Sequence, residues 1–141
     1  LGLYQSVVEG DYARKHDTGG TFLVEDAAVE SPRAERLEIS ATLPLFGRKV
    51  KPSVMRAGEI EQAVLASYGL RWEQFTARHG DRRSTRVLLS DVEVSDLADG
   101  EVPALRFAFT LPKGSYATAV LREVLKEDVD APFEREDDTN D

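Results

Sequence analysis

A chain of 141 residues, 41% apolar and 31% charged, holds enough apolar material to bury a core, which excludes wholesale disorder. With no cysteine and only two histidines, it excludes a disulfide framework, a thiolate metal site and a histidine-rich zinc site, and no metal is expected. The net charge of −8 is unevenly spread. Residues 127–141 hold eight acids and one Arg, whereas residues 48–86 hold nine basic residues and four acids, so an anionic partner fits the middle of the chain.

No apolar run approaches the roughly 18–20 residues that span a bilayer, and the N-terminus does not read as a signal peptide. No membrane partner is expected. The lack of cysteine fits a reducing compartment, so a cytoplasmic location is expected. A chain that begins at Leu1 without Met reads as trimmed or as a piece of a longer protein.

In chain order, Leu3 to Asp26 reads as short strands with turns. Glu9-Gly10-Asp11 and Asp17-Thr18-Gly19-Gly20 are turn signals, and Thr21-Phe22-Leu23-Val24 is β-rich, so a hairpin is expected. Ala27 to Arg36, with Ser31-Pro32, reads as a loop or one helical turn. Leu37 to Ser40 alternates as a strand. Thr42 to Pro52, bracketed by Pro44 and Pro52, reads as a stiff loop. A helix is expected over 57–68, with Ile60, Ala63, Val64 and Tyr68 as its apolar face and Gly69 as its C-cap. Trp72 and Phe75, three apart, could stack bases, but helical spacing places them more readily in the core.

Thr85 to Val94 and Ala104 to Leu111 read as antiparallel strands, joined through Asp99-Gly100. The acids Asp91, Glu93, Asp96 and Asp99 do not match a calcium loop and read as a solvated strand face. Ser115 reads as the N-cap of a last helix to residue 126. There Ala117, Val120, Leu121, Val124 and Leu125 repeat with helical period. The fold class is α+β, a mixed or antiparallel sheet with packed helices.

No complete catalytic constellation is present, and His16 and His79 stand isolated as surface or loop residues. The basic residues are more informative. Arg78, Arg82, Arg83 and Arg86 crowd nine positions, and Arg48, Lys49 and Lys51 form a second group. Arginine forks suit phosphate oxygens, so these residues could track an RNA backbone. From charge alone a solvated face with ordinary ion pairs is an equal reading.

Leu111-Pro112-Lys113-Gly114-Ser115-Tyr116-Ala117-Thr118, followed by Val120-Leu121-Arg122-Glu123-Val124-Leu125, resembles the C-terminal motif of the TruD family of tRNA pseudouridine synthases. Thr42-Leu43-Pro44-Leu45-Phe46-Gly47 is similar to a second family stretch, with Leu43 where the family has glycine. Gly80-Asp81-Arg82-Arg83 with Arg86 resembles the segment between the two motifs, and Gly10-Asp11 through Val24 the end of the family's inserted domain. The resemblance implies three segments. Residues 1–26 end the inserted domain, residues 27–127 are the C-terminal part of the catalytic domain, and residues 128–141 are an acidic disordered tail.

The same resemblance implies isomerisation of uridine to pseudouridine in tRNA, at uridine 13, without metal or organic cofactor. The base is detached from its ribose, turned and rejoined through carbon, after leaving its stack. The family's aspartate lies in a Gly-x-Lys-Asp-Arg motif that this chain does not contain, and neither Asp11 nor Asp81 has its flanking residues. The chain therefore reads as one wall of the active site, partnered by tRNA and by the N-terminal part of the same enzyme. No catalytic residue is assigned within it, and alone it is expected to be inactive. By resemblance Tyr116 lines the cleft near the target base, and Gly114 and Ser115 offer backbone N–H groups to a phosphate or uracil oxygen. Arg48, Lys49, Arg82, Arg83 and Arg86 are the expected phosphate contacts. A non-catalytic RNA-binding module and a protein-interaction domain with a binding tail are the rival readings.

Overall fold

The computed structural model describes residues 4–97 and 104–126. The chain forms two compact units, residues 1–88 and residues 89–141. Among the described residues no helix is long and apolar enough to cross a membrane.

The first unit is built on a four-stranded antiparallel sheet in the order β2-β1-β3-β4, with β1 at Tyr12–Lys15, β2 at Thr21–Leu23, β3 at Ile39–Leu45 and β4 at Asp81–Ser84. The expected hairpin is β1–β2, closed by the 17–20 turn, where Gly19 takes a φ of +71°. β1 also pairs with β3, Ala13 opposite Ala41, so the segments on either side of residue 26 share one sheet.

Ala27–Glu35 forms a nine-residue helix, α1, where a loop or single turn is expected. The Asp26 carboxylate accepts from the Ala28 and Val29 amides, and Ala34 is fully buried at the other end. A cap is worth about 1 kcal/mol, and together with burial it outweighs Pro32, which lacks an N–H to give the helix. The core lies between α1 and the sheet. It consists of Val7, Ala13, Val24, Ala34, Ile39 and Ala41, flanked by Phe22 and Ala27. These side chains are small, so hydrophobic burial is supplemented by a polar network on the other face of the sheet.

β3 continues through Thr42 to Leu45, correcting the stiff loop expected there. It pairs with β1 only over Ile39–Ala41. At Pro44, opposite Arg82 of β4, the strand has a neighbour on one side alone, where a missing N–H is tolerated.

The helix α2 covers Met55–Ser67. Val54 supplies no side-chain cap. Instead the Ala57 amide donates to the Glu9 carbonyl at 3.0 Å, tying the helix start to the turn before β1. The helix ends as expected at Gly69. With φ at +66°, the Gly69 amide reaches Ala66 O and the Leu70 amide reaches Leu65 O, a Schellman arrangement. The face turned to the body is not the expected one. Ala57, Gly58 and Leu65 are buried, while Val64 is 51% exposed and Tyr68 more so. Contact with Ser53 and Arg82 orients the helix by its Glu61 rather than by Ile60 and Val64.

The second unit holds an antiparallel ribbon of β5, Ser90–Leu97, and β6, Ala104–Thr110, as expected, with β5 starting at Ser90 rather than Thr85. The expected Asp99-Gly100 connection and the acidic tail lie outside the described residues. The helix α3 spans Ala117–Leu125, starting one residue later than expected. Its N-cap position is Tyr116, not Ser115, because Ser115 closes a turn with Pro112. The expected apolar positions share one side of α3, yet Leu121, Val124 and Leu125 are all exposed, as is Leu105 on β6 at 60%.

Candidate functional site

Alternation along the antiparallel strands sorts the basic residues by face. In register, Thr42 lies opposite Ser84, Arg14 opposite Ser40 and Arg82 opposite Pro44, and Tyr12, whose carbonyl accepts from Thr42 Oγ1, alternates with Arg14, so all of these share one face. Arg83 is opposite Leu43 on the other face and is exposed. Adjacent arginines therefore have different environments.

Arg82 is buried within a network. Its Nε donates to Thr42 Oγ1 at 3.0 Å and its Nη1 to the Lys51 carbonyl at 2.8 Å. Its Nη2 reaches Glu61 Oε1 at 2.6 Å, Ser53 Oγ at 2.6 Å and the Thr42 carbonyl at 3.2 Å. The guanidinium also lies 4.9 Å from the Tyr12 ring centroid. All three guanidinium nitrogens bond within the chain, where the sequence led us to expect a phosphate contact. Arg86 is used similarly, donating to Ser40 Oγ and to the carbonyls of Ala34 and Ile39. These arginines satisfy carbonyls and hydroxyls of β3, of the end of α1 and of the loop before α2.

Asp11 sits beside this network. Its carboxylate accepts from the Val8 amide at 2.8 Å. Burial pushes its pKa up, outweighing that bond and the attraction of Arg82. His16, expected to be isolated, has its Nε2 2.8 Å from Ser40 Oγ, the hydroxyl that Arg86 also uses. Burial first, and the Arg86 charge second, lower the His16 pKa.

Arg48, Lys49 and Arg78 lie at an edge shaped by two glycines. A Cβ on Gly47 would come within 2.3 Å of Gly80 N, and one on Gly80 within 2.4 Å of Val50 Cγ2. Close approach of two bare backbones is thus possible only with glycine at both positions. It sets the 47–50 turn beside residues 78–80, with the Arg48 amide bonded to Arg78 O at 3.0 Å and the Lys49 amide to His79 O at 2.9 Å. Arg48 Nη2 lies 2.6 Å from His79 Nε2. Arg48, Lys49, Arg78 and Arg83 are all exposed. The two basic groups seen in the sequence are thereby joined, less Arg82 and Arg86. The chain signals for this edge were Gly47 and Gly80, neither of which stands out without knowledge of the other.

In the second unit, Pro112 to Ser115 is a turn closed by the Ser115 amide donating to Pro112 O at 3.1 Å. Gly114 takes a φ of +87° at its third position, as a type II turn requires. The Ser115 N–H, expected to face a ligand, is engaged within the turn. Tyr116 follows at 62% exposure, held at the first turn of α3. Among the described residues no group of acids and histidines is placed to hold a metal.

The model of the family described as tRNA pseudouridine synthase D (TruD) matches residues 2–124, which takes in the sheet, the glycine-paired edge and the Gly114–Tyr116 turn. A tRNA pseudouridine synthase D of Thermus thermophilus is 56% identical over 126 residues, covering 89% of this chain and 34% of the relative. That of Syntrophotalea carbinolica is 46% identical over 125 residues, covering 85% and 30%. A crystal structure from Methanosarcina mazei, described as a putative tRNA pseudouridine synthase D, superposes with a TM-score of 0.65 at 29% identity, over 88% of this chain and 32% of that one. The chain spans about a third of the length of the curated relatives it matches. A family match across nearly all the described residues, with the same fold in a solved relative, establishes that this chain belongs to the TruD family of tRNA pseudouridine synthases.

Proposed function

We propose that this chain is the C-terminal wall of a tRNA pseudouridine synthase that isomerises uridine, at position 13 of tRNA, and acts in the cytoplasm. The observation that carries the reading is the family match over residues 2–124, which includes the Gly114-Ser115-Tyr116 turn at the head of α3. In this reading residues 1–26 return from an inserted domain, and residues 27–127 belong to the catalytic domain. The rest of the enzyme supplies the aspartate that attacks.

This chain's own residues bind and orient. Arg48, Lys49 and Arg83 meet RNA phosphates from the exposed edge, and Arg82 and Arg86 hold the sheet that carries it. Tyr116 offers an exposed ring against which an extruded pyrimidine can stack, and the Gly114 turn sets where that ring stands. Binding groups alone do not break a glycosidic bond, so the chain is inactive without its aspartate-bearing part.

The test is tritium release from uracil-labelled tRNA. The 141-residue chain alone should release none. The same chain fused behind the remaining part of the Thermus thermophilus relative should release tritium. Activity of the isolated chain would overturn the division of labour, and an inactive but folded, tRNA-binding fusion would favour a non-catalytic RNA-binding module.

A further inference from the structure

Phe46, Trp72 and Phe75 form an aromatic cluster that the core does not absorb. The Phe46 and Trp72 centroids are 5.0 Å apart with planes at 79°, and those of Phe46 and Phe75 are 4.7 Å apart at 27°. All three are only half-buried, and none joins the core around Ile39. The sequence places Trp72 and Phe75 in the core, but the structure gives them Phe46 as a partner and leaves part of each ring in water.

The surroundings of this cluster are cationic. Residues 46–51 and 71–80 carry Arg48, Lys49, Lys51, Arg71 and Arg78 against a single acid, Glu73. Arg48, Lys49, Arg71 and Arg78 are exposed, and among the described residues none of them pairs with a carboxylate. The backbone bonds of Arg48 to Arg78 and of Lys49 to His79 hold both segments at the same edge. Aromatic surface bordered by cations that no carboxylate neutralises is the combination that binds unpaired nucleic acid. Every base has a π-face for a ring, and each phosphate has a charge for an Arg or Lys.

We propose that Phe46, Trp72 and Phe75 form a stacking surface for unpaired bases of the RNA, with Arg48, Lys49, Arg71 and Arg78 on the adjoining phosphates. The proposal rests on the RNA-binding reading above and deepens it by naming where exposed bases lie. A duplex keeps its base faces stacked, so this surface selects single-stranded segments. It is sequence-tolerant, and it is separate in kind from the capture of one target base by Tyr116.

Trp72 is the chain's single tryptophan, so its fluorescence reports on this surface alone. The 141-residue chain is titrated with an end-labelled single-stranded oligouridine and with a duplex RNA of equal length. Label anisotropy follows binding and Trp72 emission follows stacking. The single strand should quench Trp72 in step with its binding, and the duplex should not. Phe75→Leu, which keeps the reporter, should weaken single-strand binding by about 10-fold with the salt slope unchanged, whereas Arg78→Gln should lower the slope. Circular dichroism confirms that both variants fold. Single-stranded RNA that binds without quenching Trp72 overturns the stacking surface, assigns the rings to a protein contact and leaves RNA binding standing. Equal quenching by duplex also overturns it. If neither RNA binds, the RNA reading of this unit fails and the proposal with it.

Discussion

Arg82 of β4 and Glu61 of α2 meet at 2.6 Å with each side chain about 10% exposed, an ion pair that joins the sheet to the helix across its polar face. The same guanidinium bonds Thr42 and Ser53 and the Lys51 carbonyl, so one side chain ties β3, the loop before α2, and α2 itself. Removing one partner of such a pair leaves a buried charge without compensation. Arg82→Met should destabilise the chain by about 3–5 kcal/mol in urea unfolding. The double variant Arg82→Met with Glu61→Leu should recover part of that loss. Equal stability of the single and double variants would show that the pair itself contributes little.

The exposed cations of the edge should behave in the opposite way. Arg48→Gln with Lys49→Gln should leave urea stability nearly unchanged and should weaken RNA binding. The salt dependence should fall by up to about 0.7 in slope for each single-strand phosphate that is no longer neutralised. Binding measured across a salt series decides this.

Two glycines of positive φ give a graded prediction. Gly69 and Gly80 both have positive φ, but a Cβ at Gly69 meets nothing within 4 Å, whereas at Gly80 it meets Val50 Cγ2 and Leu45 O at 2.4 and 2.6 Å. Gly69→Ala should therefore cost only its left-handed strain, about 1–2 kcal/mol. Gly80→Ala should add about 1–3 kcal/mol of overpacking to that strain. It should also weaken RNA binding, because it parts the two basic segments. The order of the two midpoints in denaturant checks the argument.

His16 supplies a pH dependence. Burial and the Arg86 charge lower its pKa in the folded chain below the ordinary 6.5. Below that value the unfolded chain binds the proton more readily, so this contribution to stability is present above pH 6.5 and is lost as pH falls toward the folded pKa. His16→Gln should flatten stability between neutrality and mildly acidic pH. Imidazole titration by NMR should give a folded value under 6.5, and a raised value would remove the Arg86 effect.

Tyr116 is 62% exposed, so its ring can be truncated at little cost to folding. In the chain fused behind the remaining part of the Thermus thermophilus relative, Tyr116→Phe should be mild, because the stacking face survives. Tyr116→Ala should lower turnover by about 10- to 100-fold, the loss of about 1–3 kcal/mol of stacking. Tritium release, with circular dichroism as a control for folding, measures both. A folded and fully active Tyr116→Ala enzyme would place Tyr116 outside the site.

Local patterns were readable from the chain because their causes lie between neighbours in sequence. The 17–20 hairpin turn, the period of two through β6 and the Gly69 cap each follow from the backbone freedom or side-chain alternation of a few consecutive residues. The long motif from Leu111 to Leu125 was likewise visible, and with it the family. The helix α1 was missed because its support comes from the burial of Ala34 against β1 and β3, which outweighs Pro32. What only the tertiary structure decided was the division of labour among the arginines. Arg82 and Arg83 are chemically identical neighbours. The pairing of β4 with β3 turns Arg82 toward Thr42 and Glu61 and puts Arg83 on the other face, beside the exposed Leu43, and a shift of one residue in register would exchange them. Charge counted along a sequence sums the two alike; the register assigns one to holding the fold and places the other on the opposite face, where it is exposed.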